Sequence, residues 1–93
     1  MNKPLLNTTL LFLLVIGFSG GVSGQYFEEM KLLAEQGFVG AQYNLAIMYY
    51  DGEGVLENDV EAVRWFRLAA EQGYAPAQSN LGVMYANGEG VPE

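Results

Sequence analysis

The sequence predicts an all-α protein, a right-handed α/α solenoid of antiparallel helix pairs about two repeats long. Three observations carry that expectation. A 36-residue unit recurs without a gap, apolar residues inside each unit fall at helical spacing, and glycine-rich turns stand at the same places in both copies.

The recurrence is plain on inspection. Ala34-Glu35-Gln36-Gly37 returns as Ala70-Glu71-Gln72-Gly73, Ala41-Gln42 as Ala77-Gln78, Asn44-Leu45 as Asn80-Leu81, and Met48-Tyr49 as Met84-Tyr85. Gly52-Glu53-Gly54-Val55 returns as Gly88-Glu89-Gly90-Val91. From Ala34 to Glu57, 15 of 24 aligned positions are identical at that offset. A repeat this short cannot bury its apolar face alone, so copies must stack on one another.

The elements follow in chain order. Residues 1–24 differ from the rest. Lys3 precedes the apolar run from Leu10 to Phe18, and the small residues Ser19 to Gly24 follow. That order reads as a secretory signal peptide, with cleavage expected before Gln25 and after Gly21 as a second choice. An uncleaved membrane anchor is the alternative, weakened by Asn7, Thr8, Thr9 and several glycines. The expected location is therefore secreted or periplasmic, with no membrane contact after cleavage.

Four helices are expected in residues 25–93, at about Gln25–Gln36, Val39–Tyr50, Asp59–Gln72 and Ala75–Ala86. Residues 25–37 form a degenerate half-repeat, 38–73 the first repeat and 74–93 a partial second. Ala41, Leu45 and Met48 share one helix face, as do Ala77, Leu81 and Met84. Ala62, Trp65, Phe66 and Ala69 form the apolar stripe of the third helix, with Trp65 and Phe66 expected in the core. Asn58 with Glu61 fits a reciprocal N-terminal capping box. Glu61 with Arg64, and Arg67 with Glu71, are spaced for surface ion pairs. Gly37 and Gly73 stand where a left-handed residue ends a helix, and Pro76 suits a first turn. Val55 and Val91 are expected to pin the Asp51–Gly54 and Asn87–Gly90 turns onto the helices.

Charge and composition narrow the function. Residues 25–93 hold Lys31, Arg64 and Arg67 against eleven carboxylates, a net charge of −8. That charge repels phosphate backbones and anionic membranes, which disfavours nucleic acid and favours basic partners. No histidine and no cysteine occur anywhere, so the usual zinc sites and Ser-His-Asp or Cys-His catalysis have no residues to build them. Asp51, Glu53, Glu57 and Asp59 fail as an EF-hand, because Leu56 and Ala62 occupy the positions that need glycine and glutamate. No cofactor, metal or catalytic residue is expected, and a cell-wall hydrolase is the least favoured reading.

The run Glu61-Ala62 … Trp65-Phe66-Arg67-Leu68-Ala69-Ala70-Glu71-Gln72-Gly73 … Ala77-Gln78-Ser79-Asn80-Leu81-Gly82-Val83-Met84-Tyr85-Ala86-Asn87-Gly88-Glu89-Gly90-Val91-Pro92 resembles the Sel-1-like repeat, a branch of the tetratricopeptide-type α/α solenoids. The resemblance covers nearly all of residues 25–93. It implies a non-catalytic adaptor or scaffold for protein complexes, often in bacterial secreted proteins or signalling. A cysteine-rich secreted branch staples each repeat with a disulfide, and this chain lacks those cysteines. Tyr26-Phe27-Glu28-Glu29-Met30 also departs from the aligned Ala62-Val63-Arg64-Trp65-Phe66.

In such solenoids ligands bind a concave surface lined by the first helix of each pair. Gln42, Tyr43, Asn44, Ile47 and Tyr50, with Gln78, Ser79 and Asn80, are therefore the candidate protein- or peptide-binding residues. Two competing uses stay open. Tyr43, Ile47 and Tyr50 could pack on Phe27, Met30 and Leu33, and the recurring Gln and Asn pairs could bond helix to helix. The second repeat stops halfway, which leaves a helix face open to self-association. A truncated or vestigial fragment of a longer repeat protein is the alternative to the scaffold reading, since solenoids need about three repeats for stability.

Overall fold

The computed structural model describes residues 22–92. It is an all-α stack of four helices, α1 Val22–Glu35, α2 Val39–Asp51, α3 Asp59–Glu71 and α4 Ala75–Asn87. Each helix packs on its neighbours in sequence, most extensively α2 on α3. The four expected helices are present. α1 starts at Val22, three residues before the expected position, and the signal-peptide reading of residues 1–21 lies outside the described residues. Among the described residues no helix is long and apolar enough to cross a membrane.

The sequence explains where each helix starts and stops. α2 and α4 end on Gly52 and Gly88, both left-handed with φ 76° and 70°, and these caps donate back to the Met48 and Met84 carbonyls. Only glycine takes that conformation without steric cost. Pro76 sits in the first turn of α4, where its missing N–H breaks no bond. The Asn58 side chain caps α3 by accepting from the Glu61 N–H at 3.1 Å. The return half of the capping box does not form. The Asn58 N–H bonds the Tyr49 carbonyl at 2.8 Å, while the Glu61 carboxylate pairs with Arg64 at 3.3 Å. The Arg67–Glu71 pair is likewise absent, because Arg67 donates to the Tyr85 hydroxyl and lies over its ring instead.

One continuous core runs through the stack. Phe27 and Ala34 come from α1, Ala41, Leu45, Ala46 and Met48 from α2, Ala62, Val63, Trp65, Phe66 and Ala69 from α3, and Ala77 and Met84 from α4. Phe66 and Leu45 are its largest fully buried side chains, each contributing about 1.5–3 kcal/mol of hydrophobic stabilisation. Val55 and Val91 are half-buried against this core, holding the two glycine-rich turns as expected. The second turn is tight: a Cβ on Gly90 would lie 2.3 Å from the Asp59 carbonyl oxygen. Gly90 therefore lets the turn after α4 lie against the start of α3.

Candidate protein-binding face

A cleft of about 190 Å³ opens between α2 and α4. Tyr50 of α2 forms one wall, Asn80, Val83 and Met84 of α4 the other, and Phe66 of α3 the floor. Helix spacing produces this arrangement. Asn80, Val83 and Met84 fall at i, i+3 and i+4, so they share one side of α4. Phe66 reaches the floor because α3 is packed beneath both walls.

The cleft is braced rather than loose. The Tyr43 ring lies 5.7 Å from Phe66 and 5.2 Å from Tyr74 in tilted and edge-on geometries, which favour aromatic pairs. The Tyr50 hydroxyl donates to the Glu89 carboxylate at 3.3 Å, tying α2 to the turn after α4. The negative charge of Glu89 raises the Tyr50 pKa, with burial and the charges of Asp59 and Asp51 adding to it. One end of the cleft thus lies in a field of carboxylates, which favours a cation there. Among the described residues no three acidic side chains gather in a metal-holding cluster.

The candidate residues divide by their surroundings. Tyr50 and Asn80 line the cleft. Tyr43 and Ile47 are half-buried against the core. Packing on Phe27, Met30 and Leu33 is one of the uses that the sequence leaves open for Tyr43, whose ring pairs instead with later rings of the chain. Tyr43 meets Phe66 and Tyr74, while Tyr49 takes Phe27 edge-on at 5.5 Å. Asn44 and Ser79 are exposed. Gln42 is only 5% exposed. Its Nε2 donates to the Ala34 carbonyl at 3.2 Å, and its Oε1 accepts from Gln72 Nε2 at 2.8 Å. Gln42 therefore serves the helix-to-helix bonding that its recurrence also allowed, and it is not available to a ligand. Gln78 makes the equivalent 3.1 Å bond to the Ala70 carbonyl but is exposed.

Phe66, Val83 and Met84, which line the cleft, and Glu89, which holds Tyr50, lie outside the candidate contact residues. Val83 was reachable through the repeat, because it aligns with Ile47. Glu89 was not, since its place near Tyr50 depends on how the turn folds back.

The stack of similar helix pairs defines an α/α-solenoid repeat protein. The chain belongs to the Sel1 repeat family, whose sequence profile matches residues 39–74 and 75–93. Sel1 repeats generally serve as non-catalytic scaffolds that mediate protein–protein interaction. Solved structures similar to this fold include two crystal structures. A protective antigen present in uropathogenic Escherichia coli strains, displaying an SLR fold, matches with TM-score 0.72 and 44% identity over 73% of this chain and 15% of its own. A Sel1 repeat protein from Oxalobacter formigenes matches with TM-score 0.72 and 38% identity over 74% of this chain and 20% of its own. The chain thus spans a fifth or less of those proteins. No curated protein matches it.

Proposed function

We propose that the chain is an exported, non-catalytic scaffold that holds a basic peptide segment of another protein on the α2–α4 face. The observation that carries this reading is the cleft. Its lining sets the apolar Phe66, Val83 and Met84 beside the polar Asn80 and Tyr50. That combination suits one apolar side chain of a partner, with an amide left to bond its backbone. The carboxylates near Tyr50 supply attraction for a flanking Lys or Arg.

Peptide display against the protein tests the reading. Sequences with an apolar residue next to a basic one should be enriched. Val83 is 56% exposed, so Val83→Ser leaves the core alone and strips apolar surface from the cleft wall without adding charge. It is expected to weaken the selected peptides at least about tenfold through loss of apolar contact. Equal binding by the variant would remove the cleft from the account.

Export is supported by the charge, apolar core and small-residue order of residues 1–24. The expected result of N-terminal sequencing on protein recovered outside the cytoplasm is a chain starting at Gln25. A start at Met1 would point to the anchored form.

A further inference from the structure

Among the described residues, the positive charges are engaged away from the cleft. Arg64 pairs with Glu61 and lies over the Trp65 ring, Arg67 donates to the Tyr85 hydroxyl, and the charge of Lys31 acts on Tyr49. No Lys or Arg among these residues pairs with Glu89.

Glu89 meets Tyr50 instead. The Tyr50 hydroxyl stands 3.3 and 3.4 Å from the two carboxylate oxygens, longer than an ordinary hydroxyl-to-carboxylate bond. An ionised carboxylate accepts at about four lone-pair sites, so one long, shared donor leaves most of that capacity free. The turn that carries Glu89 is fixed. Its N–H donates to the Met84 carbonyl at 2.9 Å, and the next residue, Gly90, lies against the Asp59 backbone at the start of α3. Glu89 is half-buried, so the fold sets its position while part of it meets solvent.

Tyr50 therefore serves two places at once. Its ring walls the cleft beside Phe66 and Val83, and its hydroxyl holds the Glu89 carboxylate. An apolar group in the cleft and a cation on Glu89 would touch opposite ends of this one side chain. Neighbouring peptide residues can span that gap, with Cα atoms about 3.8 Å apart and the long stem of a Lys or Arg. The openness of this corner is a property of the repeat. Asn44 and Glu53, the counterparts of Asn80 and Glu89 at the 36-residue offset, are exposed although α3 and α4 follow them.

We propose that Glu89 is the specificity-determining residue of the cleft, accepting the Lys or Arg next to the partner's apolar anchor, and that Tyr50 is the positioning residue that keeps its carboxylate in reach. The inference rests on the peptide-binding reading of the same cleft and adds which side chain reads the charge. Asp59 and Asp51 reinforce the negative field at Tyr50, but Glu89 dominates it. Because Glu89 is partly withdrawn from water, its ion pair is screened less than one on open surface.

The probe is a short capped alanine peptide with one leucine and one arginine side by side, made in both orders. Its twin carries citrulline, the neutral isostere, in place of arginine. Both are titrated at low salt into the full 93-residue chain and followed by amide NMR. The parent is expected to prefer the arginine peptide about fivefold. Glu89→Gln keeps the shape and should abolish that preference by weakening the arginine peptide more than its twin. Tyr50→Phe keeps the ring wall and should lower the preference at least about twofold, with no further loss when added to Glu89→Gln. Val83→Ser should weaken both peptides alike and leave the preference intact. No preference in the parent, or one that survives Glu89→Gln, would overturn the role of Glu89 and leave the cleft in place. A Tyr50→Phe effect that adds in full to Glu89→Gln would overturn the positioning role. Indifference to Val83→Ser, or no saturable shift with any peptide, would overturn the cleft reading and this inference with it.

Discussion

Phe66→Ala is expected to leave little folded protein at 25 °C. Phe66 is 1% exposed and fills the middle of the stack, touching Tyr43 and flooring the cleft between α2 and α4. Truncating a buried phenylalanine costs about 3–5 kcal/mol, because the apolar transfer is lost and the cavity collapses only in part. Domains of about 70 residues hold only about 3–10 kcal/mol in total. No disulfide staples this chain, so nothing offsets the loss. Helical circular dichroism during urea titration should show either no folded baseline or a midpoint far below that of the parent. A midpoint within experimental error of the parent would mean that the core is not centred on Phe66.

Gln42→Leu is the second large effect, and its comparison with Gln78→Leu is the informative part. The two glutamines occupy the same repeat position and make the same bond to a carbonyl one helix back, at 3.2 and 3.1 Å. Only Gln42 is buried and also accepts from Gln72. Leucine there removes one of the two bonds to the Ala34 carbonyl, which keeps the Gly37 N–H at 3.0 Å, and one bond of the Gln72 amide. The expected cost is about 1–2 kcal/mol, the net worth of the two hydrogen bonds lost. Gln78→Leu, with water at hand, should cost no more than about 0.5 kcal/mol in dilute solution. Equal effects in thermal or urea unfolding would show that burial is not what separates the two sites.

Much of the fold could be read from the sequence because its signals are local or repeated. Gly37 and Gly73, left-handed at φ 98° and 89°, Pro76 and Asn58 mark helix ends by backbone geometry alone, and each stands where the sequence placed it. The apolar stripe of α3 delivered Trp65 and Phe66 to the core for the same reason. Side-chain partners were harder. Arg67 left Glu71 for Tyr85, because the neighbouring helix offered an aromatic ring and hydroxyl within reach. Asn58 kept its own cap but lost the return bond from Glu61, because the Tyr49 carbonyl was already beside its N–H.

The site was legible in part. Tyr50 and Asn80 were reached by assuming that the first helix of each pair lines the binding face, and both line the cleft. Gln42 shows the limit of that assumption. A polar residue repeated on one helix face has the same pattern whether it meets a ligand or a carbonyl of the preceding helix. That Tyr43 pairs with Phe66 while Tyr49 pairs with Phe27 was hidden for a related reason. The α2 face that meets α3 begins only about a third of a turn from the one that meets α1, so residue spacing alone does not assign a ring to either.

The most direct test of the scaffold account is an amide NMR titration of the protein with a selected basic, apolar-centred peptide. The account predicts shifts concentrated at Tyr50, Asn80, Val83, Met84 and Glu89, with α1 and the Leu56–Val60 segment unmoved. Shifts centred on α1 or on that segment, or no saturable shift at all, would contradict it.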